Sequence, residues 1–118
     1  MTFYDSKGRP VAYSEDGENI YLFTGEPVAY IHGDLLYTYS GCQLGRFEKG
    51  WVRDLKGYCV FFTENAIGGP LKPLKQLRPL KYLKQLRPLK GIRRIPYMKP
   101  LDQYGWSKLS GENFFFII

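Results

Sequence analysis

The sequence predicts an all-β protein of four β-hairpins in a pseudo-fourfold arrangement, followed by an extended, polyproline-II-like strap and a C-terminal strand. Three observations support this fold class. Turn glycines recur about every 16 residues, aliphatic residues recur at every third position later in the chain, and aromatic residues, which are enriched in strands, make up 17% of the sequence. We expect one structural unit with three segments: a hairpin module at 1–68, the strap at 69–102, and a C-terminal turn and strand at 103–118.

The hairpins are predicted from four glycines that align when the first 65 residues are divided into repeating units. Gly8, Gly25, Gly41 and Gly57 follow one another at intervals of 17, 16 and 16 residues. The residues five positions before them are Phe3, Ile20, Leu36 and Val52, and those three positions after them are Val11, Val28, Leu44 and Val60. Short apolar runs on both sides of a glycine turn are typical of a β-hairpin, because glycine readily adopts the positive φ that such turns need.

The four hairpins must share a core, because a single two-stranded hairpin is at best marginally stable in water. A second set of turns separates the units, at residues 15–17, 32–34, 48–50 and 63–65. The units therefore predict eight short antiparallel strands. Radial packing would turn the recurring aliphatic residues toward a common axis, whereas a linear meander, the alternative, would leave two edge strands unpaired.

The strap is predicted from aliphatic residues that occupy one phase of a three-residue period. They are Leu71, Leu74, Leu77, Leu80, Leu83, Leu86, Leu89, Ile92, Ile95, Met98 and Leu101. Lys or Arg follows each of them through Arg93, and proline is common in the third phase. Polyproline II has three residues per turn, whereas an α-helix has 3.6 and a strand alternates with a period of two. A helix over residues 80–87 is the competing interpretation, and the prolines at either side would limit it to about two turns.

The length of the strap requires that it wraps around the hairpins, folds back or projects into another subunit. Residues 70–102 would span on the order of 100 Å as polyproline II, whereas a compact chain of this size has a radius of gyration of about 13–14 Å. A row of eleven aliphatic side chains favours burial. We therefore expect the aliphatic edge to pack on the hairpins as part of the core. The Lys/Arg edge should face outward or meet acidic residues of the hairpin module.

The apolar residues at the C-terminus predict a last strand. A turn around Gly105, Trp106 and Ser107 precedes the run Asn113-Phe114-Phe115-Phe116-Ile117-Ile118. Apolar runs of this kind are seldom left in contact with water. We expect this strand to dock on the hairpin module and to pair with an edge of it.

Charge is distributed unevenly along the chain. The net charge is +6, but residues 69–102 carry ten Lys or Arg and one acidic residue, whereas residues 1–68 carry six basic and nine acidic residues. The first ten residues lack the apolar segment of a signal peptide, and no apolar run approaches the length of about 20 residues that spans a bilayer. These features predict a cytoplasmic protein without a membrane-spanning segment.

The titratable and nucleophilic residues predict no catalytic or metal site and no cofactor. Asp5 and Asp54 occupy equivalent positions and could act as a carboxylate pair, but we expect solvated strand residues. His32 lies in a His-Gly-Asp turn with no evident partner. Cys42 and Cys59 are expected to be free thiols, because disulfides are rare in chains without a secretory signal, and they lack the spacing of metal ligands.

The four glycine-centred hairpins, the basic Leu/Pro triplet strap and the closing Gly105-Trp106-Ser107 together resemble the four-fold β-flower family. The resemblance covers nearly the whole chain. It implies a flower of hairpins in a small, mostly bacterial protein, and it implies no assigned activity and no catalytic residues. The fourth unit departs from the repeat, since Arg53 replaces the tyrosine of the other units and Phe61 replaces a small residue.

We interpret the chain as a non-enzymatic structural or protein-interaction module, with self-association into a homo-oligomer as one form of that function. The alternative is binding of nucleic acid or another polyanion through the basic residues of the strap. These residues are Lys72, Lys75, Arg78, Lys81, Lys84, Arg87, Lys90, Arg93 and Arg94. The segment Pro70 to Lys75 also fits the pattern of ligands for proline-binding grooves. No small-molecule substrate is identified.

Overall fold

Eight short strands pair in sequence order and close into an antiparallel barrel in the computed structural model, which describes residues 1–117. The strands are β1 (Thr2–Tyr4), β2 (Pro10–Tyr13), β3 (Asn19–Leu22), β4 (Pro27–His32), β5 (Leu35–Tyr37), β6 (Gln43–Glu48), β7 (Trp51–Asp54) and β8 (Cys59–Phe62). The barrel closes where Tyr4 of β1 pairs with Phe62 of β8. The predicted all-β class and radial packing are confirmed, and the linear meander is wrong.

The repeat predicted from the glycines is present in the backbone. Gly8, Gly25, Gly41 and Gly57 have φ values of 79°, 96°, 99° and 92°. In each hairpin the strand register shifts after the residue five positions before the glycine. A shift of this kind bends the strand and increases its twist, so four equivalent shifts help eight short strands to close.

The two faces of the sheet carry different side chains, as the alternation along a strand requires. The inner face holds Phe3, Ile20, Leu36 and Val52, all fully buried in one central core. The outer face holds tyrosines, which stack in pairs such as Tyr13 with Tyr21 and Tyr30 with Tyr37. The core on the axis is therefore aliphatic and aromatic, and the outside of the barrel is a belt of tyrosine rings.

The strap encircles this barrel, and residues 71–103 form no helix or strand. Its aliphatic residues are 83–96% exposed, whereas the side chains of Lys81, Lys84 and Lys90 are only 41–43% exposed. The expectation that the aliphatic edge packs into the core is therefore wrong. Of the two alternatives for the basic edge, contact with acidic residues of the hairpin module is confirmed for four of its lysines. The inner core is already filled. The outer face offers aromatic rings and carboxylates, and such a surface binds ammonium groups more favourably than it binds leucine side chains.

The predicted C-terminal strand is also wrong, because Glu112–Phe116 form a 3₁₀ helix. Ile118, the last residue of the predicted strand, lies outside the described residues. A closed barrel has no free edge with which a ninth strand could pair in full. The helix instead inserts Phe114 and Phe115 into the central core, where both rings contact Phe61. Within residues 1–117, no helix is long and apolar enough to cross a membrane.

Candidate functional site

The strap crosses the four hairpin turns at intervals of nine residues. A Cβ atom on any of the four turn glycines would overlap a carbonyl oxygen of the strap. The pairs are Gly8 with Leu74, Gly25 with Leu83, Gly41 with Ile92 and Gly57 with Leu101. Glycine is therefore needed at these positions for two reasons, its positive φ and the close approach of a second backbone.

Backbone hydrogen bonds follow the same nine-residue interval. The strap N–H two residues after each crossing donates to the carbonyl of the turn glycine, at 2.8–3.1 Å. These bonds run from Gln76 to Gly8, from Gln85 to Gly25, from Arg94 to Gly41 and from Gln103 to Gly57. Nine strap residues therefore match one hairpin of 16 or 17 residues. The strap sequence has a repeat of the same nine residues, since residues 75–81 recur as residues 84–90.

A second hydrogen bond forms only where the strap residue has an N–H group. Tyr82 donates to the carbonyl of Phe23 at 2.9 Å, and Gly91 donates to the carbonyl of Tyr39 at 2.7 Å. The equivalent strap positions nine residues before and after are Pro73 and Pro100, which have no N–H to donate. Of these four equivalent positions, the bond is therefore present at Tyr82 and Gly91 and absent at the two prolines.

Lysine side chains of the strap lie over the tyrosine rings of the barrel. The ammonium of Lys81 lies 4.6 Å from the centre of the Tyr13 ring, and that of Lys90 lies 4.4 Å from the Tyr30 ring. Lys84 lies over Tyr21 in the same way, at 5.4 Å. Cation–π contacts at this range stabilise by about 0.5–2 kcal/mol. The belt of tyrosines is therefore the surface that holds the basic edge.

Carboxylates between the hairpins complete the contact. Lys81 and Lys84 both bind Glu15, Lys90 binds Glu18 at 3.1 Å, and Lys99 binds Glu48 at 2.7 Å. Hydrogen bonds from Lys84 and Lys81 hold the pKa of Glu15 below its ordinary value. Each of these pairs is partly exposed, so each contributes little alone. Their repetition fixes the rotation of the strap about its own axis.

The side chains of four barrel residues also hold the strap, and the sequence did not predict this role. Gln43 accepts a hydrogen bond from the Tyr97 N–H at 2.9 Å, and Arg46 donates to the Tyr97 carbonyl at 2.8 Å. Arg53 donates to the Gln103 carbonyl at 2.7 Å. Tyr37, one unit earlier, donates to the carbonyl of Arg94, nine residues before Gln103, at 3.3 Å. Arg53, which stands where the other units have tyrosine, therefore also donates a hydrogen bond to a carbonyl of the strap.

The nine basic residues considered for polyanion binding are not gathered on one outward face. Besides Lys81, Lys84 and Lys90, Lys72 donates to the Ala66 carbonyl at 2.6 Å, and Lys75 lies 5.8 Å from the Tyr4 ring. The hydroxyl of Tyr21 raises the pKa of Arg87. Within the described chain, Arg78, Arg93 and Arg94 have no side-chain hydrogen bond or ion pair.

The carboxylates considered for acid–base chemistry have separate structural roles. Asp5 accepts the N–H groups of Lys7 and Arg9 in the first turn, and Asp54 accepts those of Lys56 and Tyr58 in the fourth. Each carboxylate therefore closes its own hairpin turn, as Asp and Asn often do. Asp5 and Asp54 are 1% and 8% exposed, so the expectation that they are solvated is wrong. No contact joins the two among the residues described, so the carboxylate pair has no geometric support.

The remaining titratable candidates do not converge on a site. His32 is exposed at the end of β4. Cys42 and Cys59 are buried free thiols, as predicted, and burial raises the pKa of the Cys59 thiol. A raised pKa lowers the thiolate fraction and hence the reactivity of the sulfur. From Met1 to Ile117, no group of three or more His, Cys, Asp or Glu side chains is placed to hold a metal ion.

This architecture of hairpins, turn glycines and encircling strap agrees with the comparison of the chain with protein families. A family model described as 4-fold beta flower protein matches residues 1–115. The chain belongs to this family. Comparison with curated proteins and with solved structures finds no match. Membership in the β-flower family explains the fold and brings no assigned activity.

Proposed function

We propose that this β-flower protein is a non-enzymatic interaction module that binds a second copy of itself through the aliphatic edge of the strap. The observation that supports this proposal is the exposure of that edge, with Leu77 and Leu86 at 96%. Burial of one such side chain contributes about 1.5–3 kcal/mol. Exposed apolar surface arranged in this way marks an interaction site in a folded protein.

We infer that the strap follows polyproline II, so that its aliphatic side chains form a regular row. The 27 residues from Leu74 to Leu101 would span about 84 Å at about 3.1 Å per residue, and three quarters of a circle 36 Å wide measure about 85 Å. From Leu74 to Leu101 the strap runs from the first hairpin turn to the fourth, which is three of the four turn-to-turn intervals around the barrel. The length of the strap as polyproline II therefore agrees with the length of this path. The aliphatic row would then have a spacing of about 9 Å along the rim.

The arrangement of charge favours a second copy as the partner. The lysines of the strap turn toward tyrosines and carboxylates of their own barrel, so their ammonium groups are paired there and do not stand between the outward leucines. Two like-charged straps can therefore approach one another. A twofold contact would place the same row against itself, which is the usual symmetry of homodimers.

Replacing three outward leucines by serine tests this proposal. The variant Leu77→Ser/Leu80→Ser/Leu86→Ser changes side chains that are 83–96% exposed, so the barrel should keep its fold, as measured by circular dichroism. We expect the wild type to associate across the micromolar range and the variant to remain monomeric, as measured by sedimentation velocity.

The matched control replaces exposed apolar residues outside the aliphatic row. Ile67→Ser/Tyr104→Ser removes side chains that are 72% and 86% exposed, and it should leave association unchanged. A wild-type protein that is monomeric across the range, or a triple variant that associates like the wild type, would refute self-association through this edge.

Polyanion binding is a second candidate function, and the observation that favours it is the set of three arginines without a partner, Arg78, Arg93 and Arg94. Replacing all three by glutamine should weaken binding of single-stranded nucleic acid. Each lost phosphate contact should reduce the slope of log K against log salt by about 0.7, hence by about 2 in total. Lys7→Gln/Lys49→Gln, which changes two exposed lysines of the hairpin turns and no residue of the strap, is the control. Binding that is absent at low salt, or equal in the arginine variant, would exclude this function.

A further inference from the structure

The C-terminal segment and the fourth hairpin enclose a cleft on the side of the barrel. The segment 105–117 follows the strap back onto the barrel, where Ser107 N–H donates to the Cys59 carbonyl at 2.7 Å. Ser110 donates to the Val60 carbonyl and accepts from the Ser6 N–H, both at 2.8 Å. These contacts fix the segment, and a cleft of about 580 Å³ lies beside it.

The walls of this cleft are largely apolar. They are formed by Leu44, Leu55, Tyr58, Trp106, Leu109 and Ile117. Leu44 is fully buried at the base, and Tyr58 is 38% exposed at the rim. The volume lies within the range of about 300–1,000 Å³ that is typical of small-molecule sites. Apolar walls around a space of this size favour occupation by an apolar group rather than by water.

The polar groups of the cleft define the charge of the occupant. Asp54 is 8% exposed, and its oxygens accept the N–H groups of Lys56 and Tyr58 and the hydroxyl of Ser107, the last at 2.6 Å. Its carboxylate is therefore fully hydrogen-bonded within the protein. Lys56 and Lys108 also line the cleft, are exposed, and form no side-chain hydrogen bond or ion pair with the described residues. The charge available to a ligand is positive.

We propose that this cleft binds a small organic anion with an apolar body, such as a medium-chain or aromatic carboxylate. The apolar part would pack between Leu55, Trp106 and Leu109, and the carboxylate would lie at the rim within reach of Lys56 and Lys108. This site uses the fourth hairpin and the C-terminal segment, and none of the outward residues of the strap. It is therefore independent of self-association.

Titration with decanoate, and with decanol as the neutral analogue, tests the site in the full-length protein. We expect decanoate to shift the amide NMR signals of Lys56, Tyr58 and Lys108 and to change the fluorescence of Trp106, which lies 5.5 Å from Trp51. Decanol should bind about five- to tenfold more weakly, since two exposed charge contacts would be lost. Shifts confined to residues 71–101 would place the alkyl chain on the strap and overturn the proposal.

Substitution of the two lysines separates charge recognition from apolar contact. Lys56→Gln/Lys108→Gln should weaken decanoate binding by about five- to tenfold and leave decanol binding unchanged. Lys7→Gln/Lys49→Gln, two exposed lysines outside the cleft, is the matched control and should bind both molecules like the wild type. Equal binding of decanoate to both double variants, or no binding of decanoate to the wild type, would refute an anion site.

Discussion

Replacing Gly25 by alanine should lower the free energy of unfolding by about 1.5–4.5 kcal/mol. A φ of 96° is unfavourable for alanine, and backbone strain of this kind costs about 1–3 kcal/mol. The new methyl group would also displace the Leu83 carbonyl and thereby break the hydrogen bond from Gln85 to Gly25, for a further loss of about 0.5–1.5 kcal/mol. Urea denaturation followed by circular dichroism measures the total.

Gly33→Ala is the matched control, because Gly33 also has a positive φ, 66°, but a Cβ atom there would meet nothing within 4 Å. It should cost about 1–2 kcal/mol, from backbone strain alone. The two variants should also differ in the rate of tryptic cleavage within residues 81–90, since only Gly25→Ala releases the strap. Equal losses of stability with equal cleavage would show that the strap does not depend on the turn glycine.

The barrel could be predicted from the sequence because its repeat consists of residues with strong conformational preferences. Glycines at fixed intervals mark the turns, and the aliphatic residues around them can face only one side of a strand. Phe3, Ile20, Leu36 and Val52 are buried for this reason, as expected. Four equal hairpins, each with one apolar face, can cover these faces in few ways. Closure of the sheet into a barrel covers them and also removes the unpaired edge strands.

The orientation of the strap could not be predicted in the same way, because it depends on the surface that receives it. A row of leucines favours burial only if an apolar groove is available. The outer face of the barrel presents tyrosines and Glu15, Glu18 and Glu48 instead, and these bind the lysines. One sequence feature could have indicated this outcome, namely the nine-residue repeat of the strap. The strap advances nine residues for each hairpin, so lysines nine residues apart meet tyrosines at equivalent positions of successive hairpins.

The end of the chain shows why a local apolar pattern is a poor guide to secondary structure. The run from Phe114 onward has the composition of a strand, but a strand needs a partner with free backbone groups. Phe62 of β8 pairs with β1, and the free backbone groups of Cys59 in β8 pair with Gly105 and Ser107, so no edge is left for residues 114 onward. The open end of the barrel remains, and a short 3₁₀ helix can insert two aromatic rings there without backbone pairing.

Replacing Phe114 by alanine should therefore have the largest effect of any single substitution considered for this protein. The side chain is fully buried, and its ring meets the Phe61 ring edge to face, with centroids 5.7 Å apart and an interplanar angle of 90°. Truncation of a buried phenylalanine costs about 3–5 kcal/mol, because it removes apolar contact and leaves a cavity. We expect a loss of this size in the free energy of unfolding, measured by urea denaturation.

Phe116→Ala is the matched control within the same 3₁₀ helix, because this ring is 49% exposed and outside the central core. We expect it to cost less than about 1 kcal/mol, as is usual for surface substitutions. If both substitutions cost the same small amount, the helix would be a surface appendage and the barrel core would be complete without it. A large loss for Phe114 alone would instead establish that the C-terminal segment closes the end of the barrel. The four hairpins would then depend on a residue more than 50 positions beyond the last strand for their stability.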